Sequence, residues 1–147
     1  MAHPKGRQID PRASGDIHAL LGDAPRDRDM LIEHLHLIQD KYGCLSAEHL
    51  VALANEMSMA MTEIYEVATF YAHFDVITDE ADRPPPITIR VCDSVTCEMM
   101  ESEALIEALA KDKGAEIRVL RAPCMGACDK APAVAIGHAQ FAPATAD

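Results

Sequence analysis

The chain has 147 residues, enough for one ordinary domain or two small ones, and 49% of them are apolar, so a buried core is feasible. A formal net charge of −11 argues against a nucleic-acid or anionic-membrane partner, and no apolar run approaches the length of a membrane span. The first residues carry no apolar stretch of the secretory kind, so the expected setting is cytoplasmic and reducing, where close-set thiols more often bind metal or do redox chemistry than form structural disulfides.

Residues 1–26 are rich in Pro, Gly, Ala and Asp and read as a mobile N-terminal arm, with one apolar patch at Ile17, Leu20 and Leu21. Residues 27–78 read as a helical domain. Leu31, Leu35, Ile38 and Tyr42 recur at three- and four-residue steps, and Gly43 follows as a stop. Ser46 is placed to cap a second helix that turns Leu50, Val51, Leu53 and Ala54 inward. Ser58 is placed to cap a third, carrying Met61, Ile64, Tyr65 and Ala68. His34 and His36 are expected on a partly exposed helix face, Cys44 as a semi-buried filler, and Met57, Met59 and Met61 as core filling.

The run "DEADRPPP", residues 79–86, is expected to be a stiff Pro-rich linker, because consecutive prolines neither continue a helix nor donate to a strand ladder. Over 87–147 the period changes. Ile87, Ile89 and Val91 alternate with Thr88 and Arg90, as in a half-buried strand. Residues 101–113 return to helical spacing through Leu105, Ile106 and Leu109, with Lys111 and Lys113 near the C-terminal end and Gly114 after it. Ile117 and Val119, then Val134 and Ile136, mark two further strands. A unit this short is marginal on a hydrophobic core alone, and a bound metal centre would add its binding energy to folding.

Four of the five cysteines stand at the ends of these strands. Cys92 ends the first and Cys97 opens the next helix; Cys124 ends the second strand and Cys128 lies four residues on. If the two strands are parallel neighbours, both pairs leave the same sheet edge and four thiols converge. Gly126 lets the second loop bend and aim its N–H groups at a negative centre, and Pro123 and Pro132 bracket that loop. Thiol–disulfide exchange wants C-x-x-C, which neither pair supplies. A zinc ion on four thiolates is the serious rival, although its paired ligands are usually C-x2-C. A [2Fe–2S] cluster is wider than one ion and takes two thiolates per iron, so it suits the spacing better. The plant-type ferredoxin arrangement is absent because Met100 occupies the required third position, and no His adjoins either pair for Rieske-type ligation. No phosphate loop, dinucleotide glycine motif, catalytic triad or paired-carboxylate signature is found, so the chain is not expected to bind NAD or to catalyse a reaction alone.

"VATFYAHF", "IRVC" with its C-x4-C, and "APCMGACDKAPAV" stand in order within residues 27–143. Together they resemble the thioredoxin-like [2Fe–2S] subunit family of NADH-oxidising complexes, which includes the small flavin-adjacent subunit of complex I, subunits of NAD-linked hydrogenases and the gamma subunit of soluble NAD-dependent formate dehydrogenases. The resemblance implies an α+β chain: an N-terminal helical bundle, then a thioredoxin-like [2Fe–2S] ferredoxin domain over 87–147, with a mixed sheet and a flanking helix. It implies that Cys92, Cys97, Cys124 and Cys128 ligate one [2Fe–2S] cluster, and that an FMN- and NAD-binding subunit contacts this chain directly. The first loop, "CDSVTCE", has Ser94 where complex I members usually have Gly and Glu98 where they have His, and it looks most like the formate dehydrogenase form. That branch implies a large formate-oxidising subunit with molybdenum and iron–sulfur centres in the same complex, the FMN, NAD and molybdenum cofactor all residing in partners. The equivalent subunit of complex I or of an NAD-linked hydrogenase is the nearest alternative; a zinc-stapled interaction module and a diffusible ferredoxin are the others.

Overall fold

Asp10 and Pro11 open a helix where the composition suggested a mobile arm. Asp10 Oδ1 accepts the backbone N–H of Ala13 at 2.8 Å, and Pro11 occupies the first helical position, where its missing donor costs nothing. Helix α1 runs Pro11–Leu21 and ends at Gly22, whose φ of +48° suits a residue without a Cβ. Ala13, Ile17 and Leu21 fall at four-residue steps and are buried, Ile17 completely. The arm reading is therefore corrected for this segment: its Pro, Gly and Asp are the capping chemistry of a helix with one apolar face. The computed structural model describes residues 8–111 and 114–146, so residues 1–7 of the expected arm, and Lys113, lie outside the described residues.

A 3₁₀ turn at Arg28–Met30 leads into α2, Leu31–Tyr42, which stops at Gly43 with φ +77°. Its buried stripe is Leu31, His34, Leu35 and Ile38. His34 is not on an exposed face, as expected from sequence, but 0% exposed. Position 34 shares the three- and four-residue stripe of its apolar neighbours, and its Nε2–H donates to the Pro25 carbonyl at 2.8 Å, which satisfies that nitrogen inside the core. Strand β1, Leu45–Ser46, is followed by α3, Ala47–Glu56, where the Ser46 hydroxyl accepts the His49 N–H at 3.3 Å. Helix α4, Met61–Phe70, is capped at Ala60 and not at Ser58. Ser58 is held at φ +54° in the turn, while the Glu63 carboxylate accepts the Ala60 N–H at 3.2 Å. Strand β2, Val76–Ile77, pairs in parallel with β1, Leu45 opposite Val76. The core is formed by Ile17, Leu35, Ile38, Leu50, Leu53 and Ile64, with Met57 inside it and Met59 and Met61 packed against it. Cys44 is fully buried, and that burial pushes its thiol up.

The expected linker begins later than residue 79. Asp79 accepts the Ala81 N–H at 2.9 Å and caps a 3₁₀ turn over Glu80–Asp82, and the Arg83 guanidinium pairs with Glu80 and donates to the Tyr42 carbonyl at 2.6 Å. The chain accordingly divides into two compact units with the boundary after Arg83, at the three prolines.

One pH dependence follows from the first unit. His49 stacks on Tyr42 with ring centroids 4.3 Å apart, its Nε2 is 3.9 Å from Asp16 Oδ2, and Glu48 and Arg83 also act on it. Burial lowers its pKa more than the two acids raise it. A folded-state value below the ordinary 6.5 means that the unfolded chain takes the proton more readily, so stability is full above that pH and falls below it. We expect the urea midpoint of the full chain to drop between pH 7.5 and 5.5, and to drop less in His49→Gln; equal drops in both proteins would contradict the assignment.

The second unit begins with β3, Ile87–Cys92, then α5, Val95–Met99, and α6, Ser102–Lys111. Glu101, at φ +64°, separates α5 from α6, so Cys97 stands on a short helix of its own ahead of the one that the spacing over 101–113 marks. Strand β4, Ile117–Ala122, is followed by β5, Val134–Ile136, and β6, Ala139–Phe141. The sheet order is β4-β3-β5-β6, with β3 and β4 parallel and the other pairings antiparallel. The β5–β6 hairpin turns at Gly137, whose φ is +55°. Val91, Leu105 and Val134 form a core with Ile89, Ile106, Leu109 and Val119 packed against it. This is the α+β arrangement expected, helical bundle first and mixed sheet second. Among the described residues no helix is long and apolar enough to cross a membrane.

Candidate metal centre

The parallel pairing of β3 and β4 decides where the thiols go. Ile87 lies opposite Ile117, and the register runs without a break to Cys92 opposite Ala122. Parallel neighbours about 4.8 Å apart end on the same edge, so the loop after Cys92 and the loop carrying Cys124 leave that edge side by side. The Asp93 N–H bonds the Ala122 carbonyl at 3.0 Å, extending the ladder one step, and the Cys92 N–H bonds the Ala133 carbonyl at 2.9 Å. Ser94 then begins α5, which carries Cys97 inward. In the second loop Gly126, at φ +82°, makes the bend, and a 3₁₀ turn over Cys128–Lys130 closes it. The Gln140 side chain on β6 donates to the Met125 carbonyl at 3.2 Å and holds the loop from outside.

The two pairs differ in access. Cys92 and Cys97 are 1% and 2% exposed and pack with Ala131 and Ala133, whereas Cys124 and Cys128 are open to solvent. Cys124 Sγ and Cys128 Sγ are 3.4 Å apart, and all four thiols are free. The Gly126 N–H donates to Cys124 Sγ at 3.5 Å.

Burial and neighbouring groups shift the thiol acidities. Burial alone would push Cys92 up, but the Ser94, Cys97 and Met125 donors together bring it below the ordinary thiol value. Burial, the bond to Cys92 and the charges of Cys92 and Cys128 push Cys97 up. The bond to Cys124 and its charge push Cys128 up, with Cys92 adding to the effect. The coupling runs between the loops as well as within them, so the four sulfurs form one electrostatic group. Four converging free thiols suit a cationic metal centre that deprotonates them and leaves net negative charge on the sulfurs. The donor set fits a [2Fe–2S] cluster.

All four sequence-derived cysteines are thus brought to one edge, and Cys44 lies in the other unit, buried. Sequence reasoning missed Arg121. It sits on β4 opposite Val91, bonds Glu103 at 2.6 Å, and feels the charges of Asp93 and Glu98, so these two acids near the thiols have a cation close by. The two-residue pleat places Arg121 beside the strand end, but its partners come from α5, α6 and a loop, which no local pattern joins.

Residues 17–147 match the family described as thioredoxin-like [2Fe-2S] ferredoxin. The chain belongs to that family. This ferredoxin is 27% identical over 126 residues to an NADH-quinone oxidoreductase subunit of Aquifex aeolicus (strain VF5), covering 80% of this chain and 76% of the relative. It is 31% identical over 118 residues to the protein of the same name from Buchnera aphidicola subsp. Baizongia pistaciae (strain Bp), covering 74% of this chain and 66% of that one. Among solved structures it is similar to an NAD+-reducing [NiFe]-hydrogenase in the air-oxidised state, with a TM-score of 0.58 and 25% identity over 79% of this chain; the match spans 20% of the hydrogenase chain. The ferredoxin thus corresponds to about a fifth of that longer polypeptide.

Proposed function

We propose that this chain is an electron-transfer subunit of an NAD(H)-linked oxidoreductase, with Cys92, Cys97, Cys124 and Cys128 holding one [2Fe–2S] cluster. The convergence of four free thiols from two loops on one sheet edge carries the reading. Such a cluster supplies one-electron chemistry when bound, which complements a flavin that exchanges both single electrons and hydride. The chain's own residues do the holding. Cys92 and Cys97 keep one side of the site dry, the Gly126 N–H stabilises negative sulfur at Cys124, and Cys124 and Cys128 leave the other side open to a partner. Val95 and Met99, on the helix that carries Cys97, are 71% and 78% exposed, an apolar surface suited to burial in a complex more than to a freely diffusing carrier. The names of the relatives support an NADH-oxidising assembly.

The finer reading is a cytoplasmic NAD-dependent formate dehydrogenase, resting on Ser94 and Glu98 in "CDSVTCE". In it a neighbouring subunit binds FMN and NAD, and a large subunit oxidises formate at molybdenum. A second owner, an NADH–quinone oxidoreductase, is favoured by the names of the Aquifex and Buchnera relatives. The two separate on one preparation. A complex isolated through a tag on this chain is expected to contain FMN and to reduce NAD+ with formate. Hydrogen-dependent or quinone-linked activity without formate turnover would reassign the owner, and a lone, flavin-free chain would remove the subunit reading.

A further inference from the structure

We propose that the groove between the start of α2 and α4 docks a helix of a partner protein, one that carries apolar anchors at three- and four-residue spacing with lysine or arginine beside them. The inference rests on the subunit reading above but does not depend on the metal centre. The groove has a volume of about 410 Å³ and is lined by Leu31, Ile32, Met59, Val67, Phe70 and Tyr71. Leu31 belongs to the core of the helical unit, and Met59 and Val67 pack against that core. Phe70 does not: it is 79% exposed, against 8% for Phe74 four residues on. An aromatic ring left in water adds nothing to the fold, and it contributes most where a partner excludes water from it. The Phe70 and Tyr71 rings meet edge to face with centroids 5.0 Å apart, so each limits the other's freedom before a partner arrives.

The shape suits a helix. The wall that α4 contributes is made by Glu63, Glu66, Val67 and Phe70, which fall at three- and four-residue steps on one side of that helix and extend over about 10 Å. The opposite wall comes from the start of α2 and the 3₁₀ turn before it. Two helical walls with an apolar floor accept a third helix through anchors at the same spacing.

Charge selects the occupant. Four charged residues line the groove: Arg28, Asp29, Glu63 and Glu66. Arg28 is paired with Glu63 at 2.6 Å. Asp29 and Glu66 have no ion pair among the described residues, so the rim is acidic. A lysine or arginine beside the apolar anchors complements it. A second copy of this chain would bring a formal charge of −11 to that rim, and an anionic membrane meets the same repulsion.

The test uses the full chain with a photoreactive benzoylphenylalanine at position 32, isolated with its complex through a tag and irradiated, and the cross-linked peptide is sequenced. The expected peptide comes from another protein of the complex, is apolar at three- and four-residue steps and carries lysine or arginine beside those positions. That segment, made as a synthetic peptide, is then titrated against the full chain. Phe70→Ala should weaken its binding about thirtyfold. Glu66→Lys should weaken it about threefold and make its salt dependence shallower. Both side chains are exposed, so the far-UV signal should not change. A cross-link to a second copy of this chain, to an acidic segment or to no protein in an intact complex overturns the proposal, as does equal peptide affinity in wild type and Phe70→Ala. If Phe70→Ala loses helical signal, the salt dependence of Glu66→Lys decides. A tagged chain that isolates alone overturns the subunit reading and this inference with it.

Discussion

Cys97→Ala is expected to abolish the bound iron and the visible colour, while Cys44→Ala is expected to keep both at the wild-type level. The two cysteines are almost equally buried, at 2% and 1%, so accessibility does not separate them. Their surroundings do. Cys97 lies on α5, where the charges of Cys92 and Cys128 push its thiol up and the Ala133 N–H acts against them. Cys44 is in the helical unit, where burial raises its thiol and the nearest donor–acceptor contact is a weak one, 3.9 Å to the Tyr42 carbonyl. On the proposed ligand set, removing Cys97 takes away one of the two ligands on the buried side of the site, where no water can substitute. It also removes metal-binding energy that adds to folding of the second unit, so the variant is expected to unfold at lower denaturant as well. Iron retained at the wild-type level in Cys97→Ala would show that the ligand set is drawn wrongly.

Ile17→Ala is expected to cost the helical unit about 3 kcal/mol, read from the denaturant midpoint of its far-UV signal. Ile17 is 0% exposed and sits between Ala13 and Leu21 on the inner face of α1. Truncation leaves a cavity among core side chains of other helices, and a packed interior relaxes only partly to fill it. A residue on a mobile arm would give a change within about 0.5 kcal/mol, the range of an ordinary surface substitution. The size of the effect therefore discriminates between α1 as part of the core and α1 as an appendage.

What was legible in the chain divides by the range of the interaction. Ser46, Gly43 and the alternation Ile87, Ile89, Val91 announce their structures because capping, left-handed stops and pleating are local. The thiol convergence was also legible, because parallel strands of similar length require it once the pairing is assumed. Errors came where a local cue had two meanings. The Pro, Gly and Asp of residues 10–22 serve equally in disordered tails and in helix caps, and only the burial of Ile17 and Leu21 separates the two. Ser58 was a plausible cap, but the turn needed a residue at positive φ there, and Glu63 satisfied the helix start from inside. His34 is polar, but its spacing puts it on the apolar stripe, and the carbonyl that takes its Nε2–H lies nine residues away. The α5–α6 break at Glu101 and the pairing of Arg121 with Glu103 arise from tertiary geometry that periodicity does not encode.

The most direct test of the account is the metal content of the anaerobically purified wild-type chain, measured with its visible spectrum and its electron paramagnetic resonance after dithionite reduction. The account predicts about two irons and matching acid-labile sulfide per chain, with a spin-half signal on reduction. A colourless protein carrying one zinc per chain on the same four thiolates would contradict it and make the sheet edge a structural staple.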